Sequence, residues 1–307
     1  MRQHGLVEDW RIHIGAHKTA TTHLQHTLAL MKPDLAEQGI DYLRRGDFRR
    51  KMRVILSARS PARLLGGQAL GLAVGWQLQR LCCGGPRLVV SEENLLGSNA
   101  GLMAPTLYTG MERRVSALNA LARRARLTLF LSIRSFDRVM PGAYVTALRF
   151  NPRYVGILAA VRDRVERQPS SWLPLIDRVA ASAPDARVRL WRHEDYSCHA
   201  AEITSRFLGT EEMPVPDLSA PTPMRTPSCA AVKAVEAEAR LADPATRTSA
   251  WYARAQEILA RFKDESDPEP FRPFPDRLVG LMQERYAEGC EEIRTRWGDA
   301  FIRPAGT

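Results

Sequence analysis

Short apolar runs alternate along the chain with longer stretches of helical period, the pattern of a parallel sheet flanked by helices. Residues 10–14, 40–43 (after a turn at Gly39), 87–91, 127–133 and 188–192 read as strands. The run at 127–133 is apolar almost throughout, as a strand buried on both faces must be. Helical spacing covers residues 21–31, 64–81, 111–124, 139–150, 172–183, 200–208, 229–241, 248–262 and 275–297. Two proline-rich stretches, 213–227 and 264–275, read as irregular surface segments. No repeat or low-complexity tract is visible. The pattern predicts one α/β domain over 1–307, with a sheet-containing core at about 10–212 and a helical C-terminal part at about 213–307.

Composition narrows this picture without choosing a function. With 307 residues, 45% of them apolar, the chain can build a core without disulfides. Its formal net charge of +10 favours anionic partners. Most of the basic residues are Arg, the side chain best suited to hold a phosphate in fixed geometry. The five cysteines, Cys82, Cys83, Cys198, Cys229 and Cys290, show neither C-x-x-C spacing nor a paired framework. They read as reduced, mostly buried thiols in a cytoplasmic protein. Residues 1–10 lack the apolar core of a signal peptide, and no run reaches the roughly 18 apolar residues of a membrane span.

The most informative segment is Arg11-Ile-His-Ile-Gly-Ala-His-Lys-Thr-Ala-Thr-Thr-His-Leu-Gln. An apolar strand ends at Gly15, and a short turn with Lys18, Thr19, Thr21 and Thr22 leads into a helix. The free N–H groups and dipole of a helix start favour anions, and the lysine and threonines add charge and donors. A Walker A loop would need G-x-x-x-x-G-K-[ST], whereas here His17 precedes the lysine.

This segment resembles the 5′-phosphosulfate loop of the sulfotransferases that use 3′-phosphoadenosine 5′-phosphosulfate (PAPS), which usually reads Gly-x-x-Lys-[Ser/Thr]-Gly-[Ser/Thr]-[Ser/Thr]. The resemblance implies a three-layer α/β/α fold with a central parallel sheet, related to the P-loop NTPases. It also implies nucleotide contacts from Gly15, Ala16, His17, Lys18, Thr19, Ala20, Thr21 and Thr22. Ala20 stands where the family usually has Gly; it suits the loop if that residue is already helical.

Further segments extend the resemblance. Ser91-Glu92-Glu93-Asn94 follows a strand, where the bacterial branch often reads Ser-Ser-Glu-Asn. That maps Glu93 onto a base that takes the acceptor proton, with Glu92 and His17 as rivals. Helix-start acids are the plain alternative for both carboxylates. Arg134 ends the 127–133 strand, where the family binds the 3′-phosphate. The family serine eight residues on is Gly142 here, with Ser135, Arg138 or the Gly142 backbone as substitutes, and Tyr144 matches a common aromatic. Arg225 and Ser228 fall in a segment that closes over the nucleotide, although Ser228 also suits a helix N-cap. Glu194 and Asp195 read as helix-start acids.

The basic stretch 44–63 reads as a solvated surface or as a site for an anionic acceptor such as an acidic saccharide. Sparse aromatics within it argue against nucleic acid. Trp76, Trp172, Trp251 and Trp297 read as core anchors. The expectation is in-line transfer of a sulfuryl group from PAPS to an acceptor hydroxyl or amine, with no metal required. An ATP-dependent P-loop phosphotransferase and a non-catalytic nucleotide-binding relative are the alternatives.

Overall fold

The computed structural model describes residues 7–56, 69, 76, 85–122, 125–168, 170–210, 215–216, 227–243, 248–263 and 268–304. The five strands are β1 (Asp9–Gly15), β2 (Ile40–Leu43), β3 (Arg87–Ser91), β4 (Arg126–Ile133) and β5 (Arg187–Arg192). They form one parallel sheet in the order β2-β3-β1-β4-β5. Between β3 and β4 the chain crosses over β1. In open sheets of this kind, ligand crevices form at the strand carboxyl ends beside such a switch point. Here that point is the end of β1.

Strand alternation sorts the side chains onto two faces. Trp10, Ile12 and Ile14 of β1 join Leu127, Leu129, Leu131 and Ile133 of β4 in one core cluster, while Phe130 of β4 lies in the other. The second face is covered by α1 (Thr21–Leu30), α2 (Lys32–Glu37), α8 (His193–Cys198) and α9 (Ala200–Leu208). The first face takes α4 (Glu112–Ala122), α5 (Phe136–Phe150), α6 (Ile157–Arg167) and α7 (Leu173–Ser182). Helices thus lie on both faces of the sheet. Residues of α10 (Cys229–Leu241), α11 (Thr248–Ala260) and α12 (Asp276–Trp297) pack into the first cluster, so the C-terminal helices share the core of β1 and β4.

All five expected strands are found within a residue of their expected ends. The helix expected at 139–150 begins a turn earlier, because Phe136 packs inward against Trp172 with ring centroids 4.7 Å apart. Helices α2 and α6 were not expected, nor was α3 (Arg45–Leu56), whereas α8 opens on the expected helix-start acids Glu194 and Asp195. In α6 the apolar stripe is only Leu158, Val161 and Val165 among charges. In α3 the dense arginines mask the period. The expected helix at 64–81 and most of the 213–227 segment lie outside the described residues.

Two expectations about the core need correction. Trp172 and Trp251 are buried, but Trp297 is half-buried and Trp76 is exposed. Of the described cysteines, Cys290 is buried, Cys229 half-buried and Cys198 exposed, so among these three only Cys290 is the buried thiol expected; Cys82 and Cys83 lie outside the described residues. Among the described residues no helix is long and apolar enough to cross a membrane.

At the opposite end of the sheet from the crevice, buried Asp9 accepts from Arg87 Nε at 2.8 Å and from Arg11 at 3.4 Å, with Arg126 at 3.9 Å. One carboxylate thereby neutralises arginines from three adjacent strands. Asp9→Ala leaves those guanidiniums uncompensated. Because they are partly hydrated, the expected loss is about 2 kcal/mol of unfolding free energy, checked by urea titration.

Candidate functional site

The loop after β1 is built around conformations that L-residues avoid. Gly15 has a φ of 118°, and a Cβ there would sit 3.4 Å from Cα and Cβ of Glu93. Glycine therefore lets the strand end pass against the 3₁₀ turn Glu93–Leu95. Lys18 and Ala20 are both left-handed, with φ of 66° and 64°. Each costs about 1–2 kcal/mol. Ala20 is thus not the helical residue expected; it adopts the conformation that a glycine takes more easily. Such strain persists only where surroundings over-determine it, and it concentrates at functional sites.

The surroundings here are polar bonds beneath the loop. Thr19 Oγ1 donates to the Ala16 carbonyl at 2.7 Å and also meets Ser132 Oγ. Thr21 Oγ1 donates to the same carbonyl at 3.3 Å, and Arg134 Nη1 donates to the Lys18 carbonyl at 3.2 Å. The expectation that every loop threonine offers a donor to a ligand is therefore corrected: Thr19 and Thr21 face inward. Thr22 is exposed at the helix start. Among the described residues nothing accepts from the backbone N–H groups of Lys18 to Thr22. These amides form the anion-facing edge of the loop.

Lys18 runs across α5. Its Cδ and Cε would lie 3.3 and 3.4 Å from a Cβ at Gly142, and its Nζ donates to Thr146 Oγ1 at 2.8 Å. Gly142 thus leaves the groove in which the lysine stem lies, a role different from the expected 3′-phosphate contact. Burial pushes the Lys18 ammonium down to about 8, with Arg149 adding to the shift and Glu93 opposing it. No carboxylate pairs with Lys18 among the described residues.

Beside the loop, both candidate carboxylates meet Arg49 of α3. Glu92 is fully buried and takes Arg49 Nε at 2.6 Å and Nη2 at 2.7 Å, and its Oε1 caps Asn94 N at 2.9 Å. Burial pushes its carboxyl up while Arg49 pulls the other way. Glu92 is thereby committed to an internal ion pair, which removes the rival reading of it as a free base. Glu93 receives Gln25 Nε2 at 3.0 Å and Arg49 Nη2 at 3.3 Å. Burial would raise its pKa, but its own backbone N–H and the cations Arg49 and Arg45 hold it below the usual carboxylate range. Arg45 and Arg49 therefore belong to this internal network, not to a fully solvated basic surface.

His17 is buried in the same network. The Asn94 amide donates to His17 Nε2 at 3.2 Å while its oxygen accepts from Arg49 Nη2 at 2.8 Å. Nδ1–H of His17 then points to Tyr108 Oη at 3.0 Å, which also accepts from the His17 backbone N–H at 3.1 Å. Burial lowers the His17 pKa despite nearby Glu93, so the ring is neutral near pH 7.

On the far side of Lys18 stands Arg134. Its Nε is buried without a partner, and Trp172 Nε1 fixes its carbonyl at 2.8 Å. His193, at the end of β5, lies beside it with Nδ1 also unpartnered. Burial and then Arg134 push His193 down to about 4. Two of the suggested substitutes for the missing serine are engaged elsewhere: Ser135 Oγ is bonded to Asp137, and Arg138 is exposed and paired with Asp137. Tyr144 is buried and donates to Glu236, linking α5 to α10. Glu194 and Asp195 do start a helix; Glu194 accepts from Tyr286 at 2.8 Å and Asp195 pairs with Arg192. Ser228 is the N-cap of α10, accepting from Ala231 N at 3.2 Å. Arg225 lies outside the described residues.

Sequence reasoning passed over the residues that hold the site in shape. His13 is fully buried on β1 between Ser91 Oγ at 2.9 Å and Ser132 Oγ at 3.1 Å, and it stacks on Trp191. Gln25, Arg49, Asn94, Tyr108 and Thr146 complete the set. His13 left a signal as a polar residue inside an apolar strand, Asn94 stood in the motif after β3 and Arg49 in the basic stretch, none of them with this role. Among the described residues no group of three or more His, Cys, Asp or Glu side chains is arranged for a metal. Comparison with family models, with curated proteins and with solved structures gave no significant match.

Burial holds His13 neutral, with its pKa down to about 4 from the ordinary 6.5. The unfolded chain therefore binds the proton first as pH falls, and stability is lost from about pH 6.5 down to 4. The expected share from His13 is on the order of 3 kcal/mol. Urea unfolding of the wild type and His13→Gln across that window checks it: the variant is weaker at neutral pH and has the shallower slope.

Proposed function

We propose that the chain is a PAPS-dependent sulfotransferase of P-loop-related fold, acting in the cytoplasm on a hydroxyl or amine. The observation that carries this reading is the Lys18 loop. A largely buried cation, without a carboxylate partner among the described residues, follows the central strand, beside amides unpartnered among the same residues and between Arg134 on one side and Glu93 on the other. Removing a charge from water without a counter-charge is costly, and an anion in the loop offsets that cost. The strained φ angles at Lys18 and Ala20 support the same reading, and the free thiols support a reducing compartment.

The nucleotide supplies a sulfuryl group on a phosphate leaving group. Arg134, whose Nε lacks a partner, would take the 3′-phosphate. Lys18 and the loop amides would neutralise charge on the phosphate oxygen as its bond to sulfur breaks. Glu93, already ionised, would accept the proton of the acceptor as the new bond to sulfur forms. Gln25 and Arg49 fix the direction in which that carboxylate points. His17, neutral and bonded on both ring nitrogens, orients the loop rather than supplying the base.

Calorimetry with adenosine 3′,5′-bisphosphate, set against ATP with Mg²⁺, tests the reading directly. Micromolar binding of the bisphosphate and none of ATP is expected; the reverse selectivity would sink it. Lys18→Ala should lower turnover at least about a hundredfold. Because Lys18 loses its proton near pH 8, kcat/KM for the donor should fall above about pH 8. In Lys18→Arg that alkaline decline should disappear.

The two carboxylates give a second prediction. Glu93→Gln should lower kcat about a hundredfold with bisphosphate affinity little changed. Glu92→Gln, by contrast, should act mainly by loosening α3, seen as a lower melting temperature.

A further inference from the structure

The exposed face of α5 continues beyond Lys18 in a way the reaction alone does not require. Gly142, Thr146 and Arg149 follow one another at helical spacing, so they share a face, and Phe150 adjoins it. The residues nearest β4 lie by Arg134, Gly142 carries the lysine stem, Thr146 holds its ammonium, and Arg149 and Phe150 come next. At a 1.5 Å rise, Arg149 stands about 10 Å along the axis from Gly142. The Arg134 side is at the start of this helix, and Arg149 and Phe150 stand at its far end.

That end is built unusually for a surface. Phe150 is 50% exposed yet stacked on Tyr252 of α11, with centroids 4.9 Å apart and planes 24° from parallel. Phe150 thus packs on Tyr252 and still leaves half of its surface to solvent. Arg149 lies 5.7 Å from the centre of the Tyr252 ring and donates to its hydroxyl at 3.4 Å. Its Nε is buried without a partner, and no carboxylate pairs with it among the described residues. Lys18 is near enough for the two cations to repel. Two neighbouring cations beside an open aromatic shelf are complementary to an anion carried on a ring.

We propose that Arg149, Phe150 and Tyr252 form an acceptor subsite for an acidic saccharide, with the C–H face of a sugar ring on Phe150 and its carboxylate on Arg149. The aromatic face is flat, apolar and half open, which suits a pyranose lying on a shelf. The guanidinium offers paired donors to a carboxylate. This assignment of substrate class rests on the sulfotransferase reading above.

Direct binding tests it without turnover. The probes are a glucuronate-terminated disaccharide, its methyl ester and 4-nitrophenol, titrated by calorimetry into the full chain with and without adenosine 3′,5′-bisphosphate. The acidic disaccharide should bind at least about tenfold more tightly than its ester. Arg149→Gln should abolish that preference. Phe150→Ala, at a half-exposed position, should weaken both sugars about tenfold. Circular dichroism checks that each variant is folded, and bisphosphate affinity should stay within about twofold of wild type.

Equal affinity for acid and ester, or an unchanged preference in Arg149→Gln, overturns the proposal. So does tighter binding of 4-nitrophenol than of the sugar. A loss of bisphosphate affinity in Phe150→Ala would assign the shelf to the nucleotide and overturn it too. Failure of bisphosphate binding in the wild type is a separate outcome: it removes the sulfotransferase reading, while the sugar titrations still decide the subsite.

Discussion

The hydrogen-bonded chain beneath the β1 loop is the interaction on which the site depends. Ser91, His13 and Ser132 come from three adjacent parallel strands, and Ser132 passes the chain on to Thr19 and the Ala16 carbonyl. Parallel pairing places His13 opposite Ser91, so the strand register itself aligns these groups. A buried polar network of this kind is favourable only when every member is satisfied. Here satisfaction requires the loop to stay folded back over the sheet, and that in turn imposes left-handed backbone at Lys18 and Ala20. The strain is thus held in place by hydrogen bonds a few ångströms below it.

The charges around the loop are arranged on the same frame. To one side, Arg49 joins Glu92, Glu93 and Asn94, and through Asn94 it reaches His17. To the other, Arg134 binds the Lys18 carbonyl. Lys18 lies between these groups, and among the described residues its ammonium is bonded to the Thr146 hydroxyl alone. Carboxylates are held ionised or internally paired, and cations are left with spare donors. That asymmetry makes the surroundings of the loop attractive to anions, consistent in sign with the net charge of the chain.

Much of this was legible beforehand, for identifiable reasons. The strands leave short apolar or alternating runs bounded by polar residues, and β4 a nearly continuous one, so all five were visible. The lysine turn was readable because its residue types carry charge and donors at a strand end. Other parts were hidden. Helix α3 was masked by its arginines, although two of them bind the carboxylates of the site. Ala20 was compatible with the loop if it were helical, but its φ of 64° is left-handed, in a loop tied down by bonds such as Arg134 to the Lys18 carbonyl that no local pattern encodes. Glu92 and Glu93 are chemically identical neighbours, and only their contacts separate a buried, doubly bonded carboxylate from one that faces the loop.

By itself, then, the sequence determined the layered α/β sheet, the position of the lysine turn after the first strand and the basic character of the molecule. These follow from local periodicity and composition, which act over a few residues. Which threonines turn inward, why a glycine stands at 142, and which arginine serves the carboxylates were decided by tertiary structure. Each of those depends on side chains far apart in the chain: Thr19 with Ser132, Lys18 with Thr146, Arg49 with Glu92. Such pairs exist only once the sheet has set its register, because a hydrogen bond needs its partner within about 3 Å and chain order does not specify that distance.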